Sequence, residues 1–136
     1  MSANTMERAA GNAARVEAGY AAFARGDLAA VEQTFDTEVV WHAQRLGVLG
    51  GDHRGWSEVA QFFGRTMELT KGTFRIEVKE ILANDSSVAV IVRSSARRGD
   101  RLLDDQQVHL LHLRDDKVVE VWQYVGDGAA VEAFWS

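Results

Sequence analysis

The chain has 136 residues, of which 46% are hydrophobic and 26% charged, and its formal net charge is −5. These values are typical of an ordinary globular protein, and we expect a single domain over residues 1–136. An acidic chain with scattered basic residues disfavours nucleic-acid binding. The absence of cysteine excludes disulfides and thiol chemistry and fits a cytoplasmic location. We find no apolar run of signal-peptide or membrane-spanning length, so no membrane association is expected.

The first half of the chain predicts mostly helices. Apolar residues spaced three and four apart favour a helix over about residues 7–25, and Asp27 can cap a second, short helix. A run of β-branched and aromatic residues predicts a strand over residues 39–43. Residues 46–55 contain four glycines and predict a loop, and a third helix is expected over about residues 56–69.

The second half predicts strands joined by tight turns. Residues 74–79 alternate between apolar and charged side chains, and residues 88–92 are almost all apolar. Two further strands flank a turn at residues 114–117, and a closing helical segment is expected over residues 127–135. Helices followed by hairpin-connected strands indicate an α+β fold. We expect the N-terminal helices to pack on the concave face of a curved antiparallel sheet and to enclose a cone-like cavity.

The hairpin over residues 107–124 carries the most informative side chains. A two-residue turn that pairs Arg114 with Lys117 predicts that His109 lies opposite Trp122. Strand alternation then places five side chains on one face, namely Gln107, His109, Glu120, Trp122 and Tyr124. Imidazole titrates near pH 6.5, so His109 is a candidate general acid or base, or a hydrogen-bond donor to a ligand carbonyl. The alternative is a buried structural histidine.

The histidines do not predict a metal site. His109 and His112 are three residues apart, so their side chains project from opposite faces of a strand. His42 and His53 do not join either of them in a spacing that suits zinc. The glycine-rich loop lacks a nucleotide-binding pattern, and no cofactor is expected.

Four stretches of the chain resemble the SnoaL-like branch of the nuclear transport factor 2-like superfamily, which includes polyketide cyclases. They are residues 20–28 (YAAFARGDL), 35–41 (FDTEVVW), 51–55 (GDHRG) and 119–122 (VEVW). The resemblance covers nearly the whole chain. It implies the cone fold that is shared with ketosteroid isomerases and limonene-epoxide hydrolases, and it implies a homodimer formed through the sheet.

The resemblance also implies catalytic positions, from which this chain departs. The aspartate base of the ketosteroid isomerases corresponds to Ala43, and their oxyanion-binding tyrosine corresponds to Gly19, with Tyr20 about 100° further round the helix. Their second oxyanion donor corresponds to His109. The carboxylates used by the epoxide hydrolases and the polyketide cyclases are also unmatched. Tyr20, Ala43 and Trp41 are nevertheless expected to line the ligand site, together with the hairpin residues.

Three functions are compatible with these observations. The leading hypothesis is a domain that binds an apolar or polycyclic small molecule, acting as an isomerase, cyclase or hydrolase in which His109 transfers a proton next to a carbonyl. The second hypothesis is a non-catalytic carrier of hydrophobic ligands, which the missing carboxylates favour. The third is a dimerisation module with a filled interior.

Overall fold

The computed structural model describes residues 2–136 as four helices and six strands. The N-terminal half contains α1 (Ala3–Ala24), α2 (Leu28–Glu32), β1 (Phe35–Ala43), β2 (Gly51–Arg54) and α3 (Gly55–Leu69). The C-terminal half contains β3 (Arg75–Ala83), β4 (Ser87–Arg98), β5 (Arg101–Arg114), β6 (Lys117–Tyr124) and α4 (Gly128–Trp135). Over the described residues 2–136, no helix combines the length and the apolar character needed to cross a bilayer.

The six strands form one curved, unclosed sheet in the order β2-β1-β6-β5-β4-β3. The predicted α+β cone fold is therefore confirmed. Neighbouring strands are antiparallel except β1 and β6, which run parallel and make the sheet mixed. The prediction of an antiparallel sheet holds for strands joined by tight turns. It does not extend to β1 and β6, because no hairpin joins them and their relative direction is set by the rest of the fold.

The segment predicted as a glycine-rich loop contains a short edge strand. Gly47–Leu49 form one turn of 3₁₀ helix, and β2 then pairs antiparallel with β1, with Asp52 opposite His42. A four-residue strand with mostly exposed side chains lacks the apolar alternation by which strands are recognised in a sequence.

The core lies between the inner face of the sheet and the helices. Alternate residues of β4 are fully buried, with Val88, Val90 and Val92 each at 0% exposure. From the helices, Val16 of α1 and Val59 of α3 are almost completely buried in the same cluster. Alternation along the strands therefore decides which side chains reach the interior.

A β-bulge in β6 changes the register of the hairpin. Arg114 pairs with Lys117 as predicted, but the pairing then shifts by one residue, so that His109 lies opposite Gln123 instead of Trp122. Because side chains alternate between faces, a one-residue shift moves every later residue of β6 to the other face. The predicted common face is therefore wrong for three residues, which lie on the outer face: Glu120, Trp122 and Tyr124.

Candidate functional site

A cavity of about 70 Å³ lies between the inner face of the sheet and helices α1 and α3. Most of its wall is aromatic or aliphatic, with the rings of Tyr20, Phe23, Phe35, Trp41, Phe62, Phe63 and Phe74. The other polar side chains in the wall are Thr66, Ser94, His109 and Gln123. Within the described residues 2–136, the cavity wall contains no aspartate or glutamate. Such a wall suits an apolar molecule with few polar groups.

Tyr20 and His109 meet in this cavity. His109 projects from β5 and is 2% exposed, and the hydroxyl oxygen of Tyr20 on α1 lies 2.5 Å from its Nδ1. The indole of Trp41 contacts the imidazole edge-on, with ring centroids 5.6 Å apart. The structure thus brings together three of the residues that the sequence predicted for the ligand site.

The hydrogen bond between Tyr20 and His109 is compatible with two arrangements of protons. In the first, the hydroxyl donates to Nδ1 and the remaining ring hydrogen sits on Nε2. In the second, Nδ1–H donates to the phenol oxygen, and the hydroxyl hydrogen is left over. Within residues 2–136, Nε2 of His109 is buried without a hydrogen-bond partner. Both arrangements therefore leave a polar hydrogen of the pair without a protein acceptor.

Burial keeps both members of the pair neutral. It lowers the pKa of His109 from 6.5 to about 4, because the cationic imidazolium is poorly solvated there. It also raises the pKa of the Tyr20 hydroxyl well above its ordinary value of 10. At neutral pH the site consequently presents a neutral imidazole and a neutral phenol, which suit hydrogen bonding to an uncharged oxygen.

Two residues of the cavity wall, Trp41 and Gln123, belong to a buried row of side chains across three strands. The indole Nε1–H of Trp41 donates to Oε1 of Gln123 at 3.0 Å, and Nε2 of Gln123 donates to Oε1 of Gln107 at 3.0 Å. Nε2 of Gln107 in turn donates to Oδ2 of Asp105 at 3.1 Å. Gln107 is 2% exposed and lies behind the cavity wall, so it is on the predicted face without lining the cavity.

Four other predicted site residues lie away from the cavity. Ala43 is completely buried on β1, but it is not part of the cavity wall. Tyr124 is 53% exposed on the outer face, and Trp122 and Glu120 share that face because of the bulge in β6. These placements correct the prediction that the hairpin aromatics enclose the ligand.

The outer face instead carries an ionic cluster around His42. Its ring stacks on Trp122 with centroids 5.4 Å apart, Nδ1 lies 2.7 Å from Asp52 and Nε2 lies 2.6 Å from Glu120. Partial burial lowers the pKa of His42, but the hydrogen bonds to Glu120 and Asp52 outweigh it and raise the pKa above 6.5. No group of side chains within residues 2–136 is arranged to hold a metal ion.

Gln123 is one of the cavity residues that the sequence patterns do not predict. If the side chains of β6 alternated between the two faces without interruption from the turn onward, Gln123 would lie on the outer face. The available signal is the run 118–121, in which three valines surround Glu120 and break the period of two. A break of this kind indicates a bulge, after which Gln123 rather than Trp122 faces the interior.

Comparison with known proteins identifies the family. The SnoaL-like domain profile matches residues 16–121, and the chain belongs to this family. A protein of uncharacterised function from Mycobacterium tuberculosis is 31% identical over 118 residues, which cover 86% of this chain and 90% of that protein.

Solved structures agree with this assignment. Bal32a, from a soil-derived mobile gene cassette, matches with a TM-score of 0.92 and 32% identity over 95% of this chain and 99% of its own. Two more distant structures share the fold at 22% identity. One is a nuclear transport factor 2-like protein from Burkholderia xenovorans (TM-score 0.81, 94% and 98% covered), and the other is TerC, co-crystallised with polyporic acid (TM-score 0.78, 93% and 99% covered). The predicted membership of the SnoaL-like branch is confirmed.

Proposed function

We propose that this SnoaL-like chain binds a small, mostly apolar molecule that carries a carbonyl or a similar accepting oxygen, with His109 and Tyr20 as its polar contacts. The observation that carries the proposal is the buried Nε2 of His109, which has no partner within residues 2–136. A buried polar group without a partner costs roughly 1–3 kcal/mol. A ligand oxygen that accepts the free hydrogen of the pair recovers that cost. The site should therefore bind oxygenated ligands more tightly than ligands without an accepting oxygen.

The apolar wall supports the same proposal. Aromatic rings from α1, α3 and β1 supply surface for a hydrophobic body, while the polar hydrogen orients one oxygen. TerC, which shares the fold, was co-crystallised with polyporic acid. Binding without turnover is favoured, because an imidazole with a pKa of about 4 is a weak base at neutral pH.

Proton transfer next to a carbonyl is the second candidate function, favoured by the 2.5 Å contact between Tyr20 and His109. In the arrangement with hydrogen on Nδ1, Nε2 of His109 accepts a proton from the carbon beside the carbonyl. The Tyr20 hydroxyl then donates to the oxygen as it becomes an enolate. Returning the proton from Nε2 to a different atom of the ligand completes an isomerisation or assists a cyclisation, without any cofactor.

The test uses acetophenone and ethylbenzene, two probes of similar shape of which only the first has a carbonyl. Dissociation constants are measured by NMR titration for the wild type, for His109→Leu and for His112→Leu, a control on the outer face of the same strand. The loss of one hydrogen bond predicts that His109→Leu lowers the preference for acetophenone by about 2- to 12-fold. An unchanged preference in His109→Leu would refute the proposal.

The same probe separates the carrier from the enzyme. In D₂O, proton transfer replaces the methyl hydrogens of acetophenone with deuterium, which ¹H NMR follows directly. Exchange that the wild type accelerates and His109→Leu does not would establish proton transfer. Binding with no acceleration by either protein would establish the carrier.

We further propose that the chain forms a homodimer through the outer face of the sheet. Val108 and Leu110 of β5 are half-buried there, next to Trp122 and the exposed Tyr124 of β6. Large apolar side chains clustered on one solvent-facing surface are typical of protein–protein contacts. Val121 of β6 is not part of this surface, because the bulge places it in the core, where it is 0% exposed.

A further inference from the structure

Asp105 anchors one end of the buried polar row. It is 7% exposed, and its two carboxylate oxygens accept hydrogen bonds from the backbone N–H groups of Gly126 and Asp127, both at 2.9 Å. Gly126 permits this approach, since a Cβ there would lie 2.5 Å from the carbonyl oxygen of Gln106. Asp127 then caps α4. Backbone hydrogen bonds therefore fix the position of the carboxylate independently of any side chain.

The two ends of the row determine the orientation of the amides between them. A carboxylate that already receives two N–H groups acts only as an acceptor, so Gln107 must turn its NH₂ group towards Asp105. Its carbonyl oxygen then faces Gln123, which must turn its own NH₂ group towards Gln107. The carbonyl oxygen of Gln123 is left for the indole N–H of Trp41, which can only donate. All three bonds agree with this single direction.

The row ends on a wall of the cavity. Trp41 and Gln123 both line the cavity, and the indole of Trp41 is the ring that meets the edge of His109. Gln107 is not part of the cavity wall and makes no hydrogen bond to His109, yet its amide is the link between the anchored carboxylate and this wall. Turning either glutamine amide by 180° would place donor against donor and acceptor against acceptor.

We propose that Gln107 is a positioning residue, which acts through Gln123 to hold the indole of Trp41 against His109. The inference rests on the proposed function of the cavity, since it assigns Gln107 a role in shaping the ligand site. It also changes the role predicted from the sequence, where Gln107 was expected to contact the ligand.

The experiment replaces Gln107 by methionine, which has a similar shape and no amide. Its matched control is Gln106→Met, the same change at the exposed neighbour on the other face of β5. Hydrogen exchange of the Trp41 indole is followed by NMR. The expected result is exchange roughly fivefold faster in Gln107→Met than in the wild type or the control, as for the loss of one hydrogen bond. Equal exchange rates in all three proteins would overturn the proposal.

A second measurement needs no variant. In the wild type, one amide hydrogen of Gln107 and one of Gln123 should exchange more slowly than those of the exposed Gln106. Amide hydrogens that all exchange at the rate of Gln106 would overturn the row itself, even if Gln107→Met does not fold.

The probe titrations connect the row to the site. The acetophenone preference should fall in Gln107→Met, and the variant should have no further effect in a Trp41→Phe background, because the last member of the row is then missing. A preference for acetophenone that depends on His109 but not on Gln107 would overturn the positioning role and leave the proposed function standing. If no protein prefers acetophenone but the indole exchange responds to Gln107→Met, the proposed function fails and the positioning of Trp41 is supported.

Discussion

The hydroxyl of Tyr20 on α1 and Nδ1 of His109 on β5 are 2.5 Å apart, although 89 positions separate them in the sequence. The contact ties the first helix to the centre of the sheet, and it joins two neutral titratable groups inside an apolar cavity. Such a hydrogen bond contributes to stability, and in the proposed function it also sets which polar hydrogen the pair offers to a ligand. Removing either partner leaves a buried polar group on the other, which makes the contact accessible to experiment.

Tyr20→Phe should destabilise the protein by about 1–3 kcal/mol, because it removes the hydroxyl and leaves Nδ1 of His109 buried without its partner. The free energy of unfolding in urea measures the effect. Tyr124→Phe is the matched control, since Tyr124 is 53% exposed and the chain has two tyrosines. Equal losses in the two variants would contradict the assigned hydrogen bond.

His109 should make the protein less stable as the pH falls from 6.5 towards 4. Its pKa is lower in the folded protein, about 4 against 6.5, so the unfolded chain binds the proton more readily in this window. The stability that this histidine provides above pH 6.5 is therefore lost on acidification, up to about 3 kcal/mol near pH 4.

Urea unfolding at several pH values tests this prediction. His109→Gln should lose less stability than the wild type between pH 6.5 and 4, because glutamine does not titrate. Both proteins contain the same carboxylates, so the contribution of these groups to the pH dependence cancels in the comparison. In the folded wild type, the NMR signals of the His109 ring should also be those of a neutral imidazole at pH 5.5. Protonation of that ring near pH 6.5 would show that it is solvated.

His42 should produce a pH dependence of the opposite sign. The hydrogen bonds to Glu120 and Asp52 raise its folded pKa above 6.5, so the folded protein binds the proton more tightly. This contribution is fully present below pH 6.5 and disappears as the pH rises through the folded pKa. In His42→Gln the decline of the unfolding free energy with rising pH should vanish, and in Glu120→Gln it should shrink. A full decline retained by His42→Gln would assign it to another group.

Leu110→Lys should convert the proposed dimer into a monomer, because it places a charge in the apolar outer face of β5. Sedimentation equilibrium of the wild type and the variant measures the change. Leu82→Lys provides the control, since Leu82 is 53% exposed on the edge strand β3. A wild type that sediments as a monomer, or a Leu110→Lys variant that remains a dimer, would contradict the proposal.

Much of the architecture could be predicted from local sequence patterns. Apolar spacing indicated α1 and α3, period-two alternation indicated β3, and apolar or β-branched runs indicated β1 and β4, because an element must bury its apolar face wherever it packs. Alternation within β5 also placed Gln107 and His109 on the inner face correctly. Tyr20 and Trp41 were expected at the site from the family resemblance, and both line the cavity.

The faces of β6 could not be predicted in the same way. One bulge near Val119 reverses the orientation of Glu120, Trp122 and Tyr124 and brings Gln123 to the cavity. A bulge inserts a single residue, and its location depends on how β6 pairs with β5 on one side and β1 on the other. Local pattern therefore favoured the wrong face for the two aromatic residues.

The sequence by itself determined most of the secondary structure and the α+β class, through side-chain periodicity and residue type, and it indicated the family through four short stretches that resemble it. Tertiary structure alone decided the chemistry of the site. The pairing of Tyr20 with His109, the neutral state of that pair and the direction of the row from Asp105 to Trp41 each require groups from distant elements. Hydrogen bonds and desolvation act over a few ångströms in space, whatever the separation of their partners along the chain.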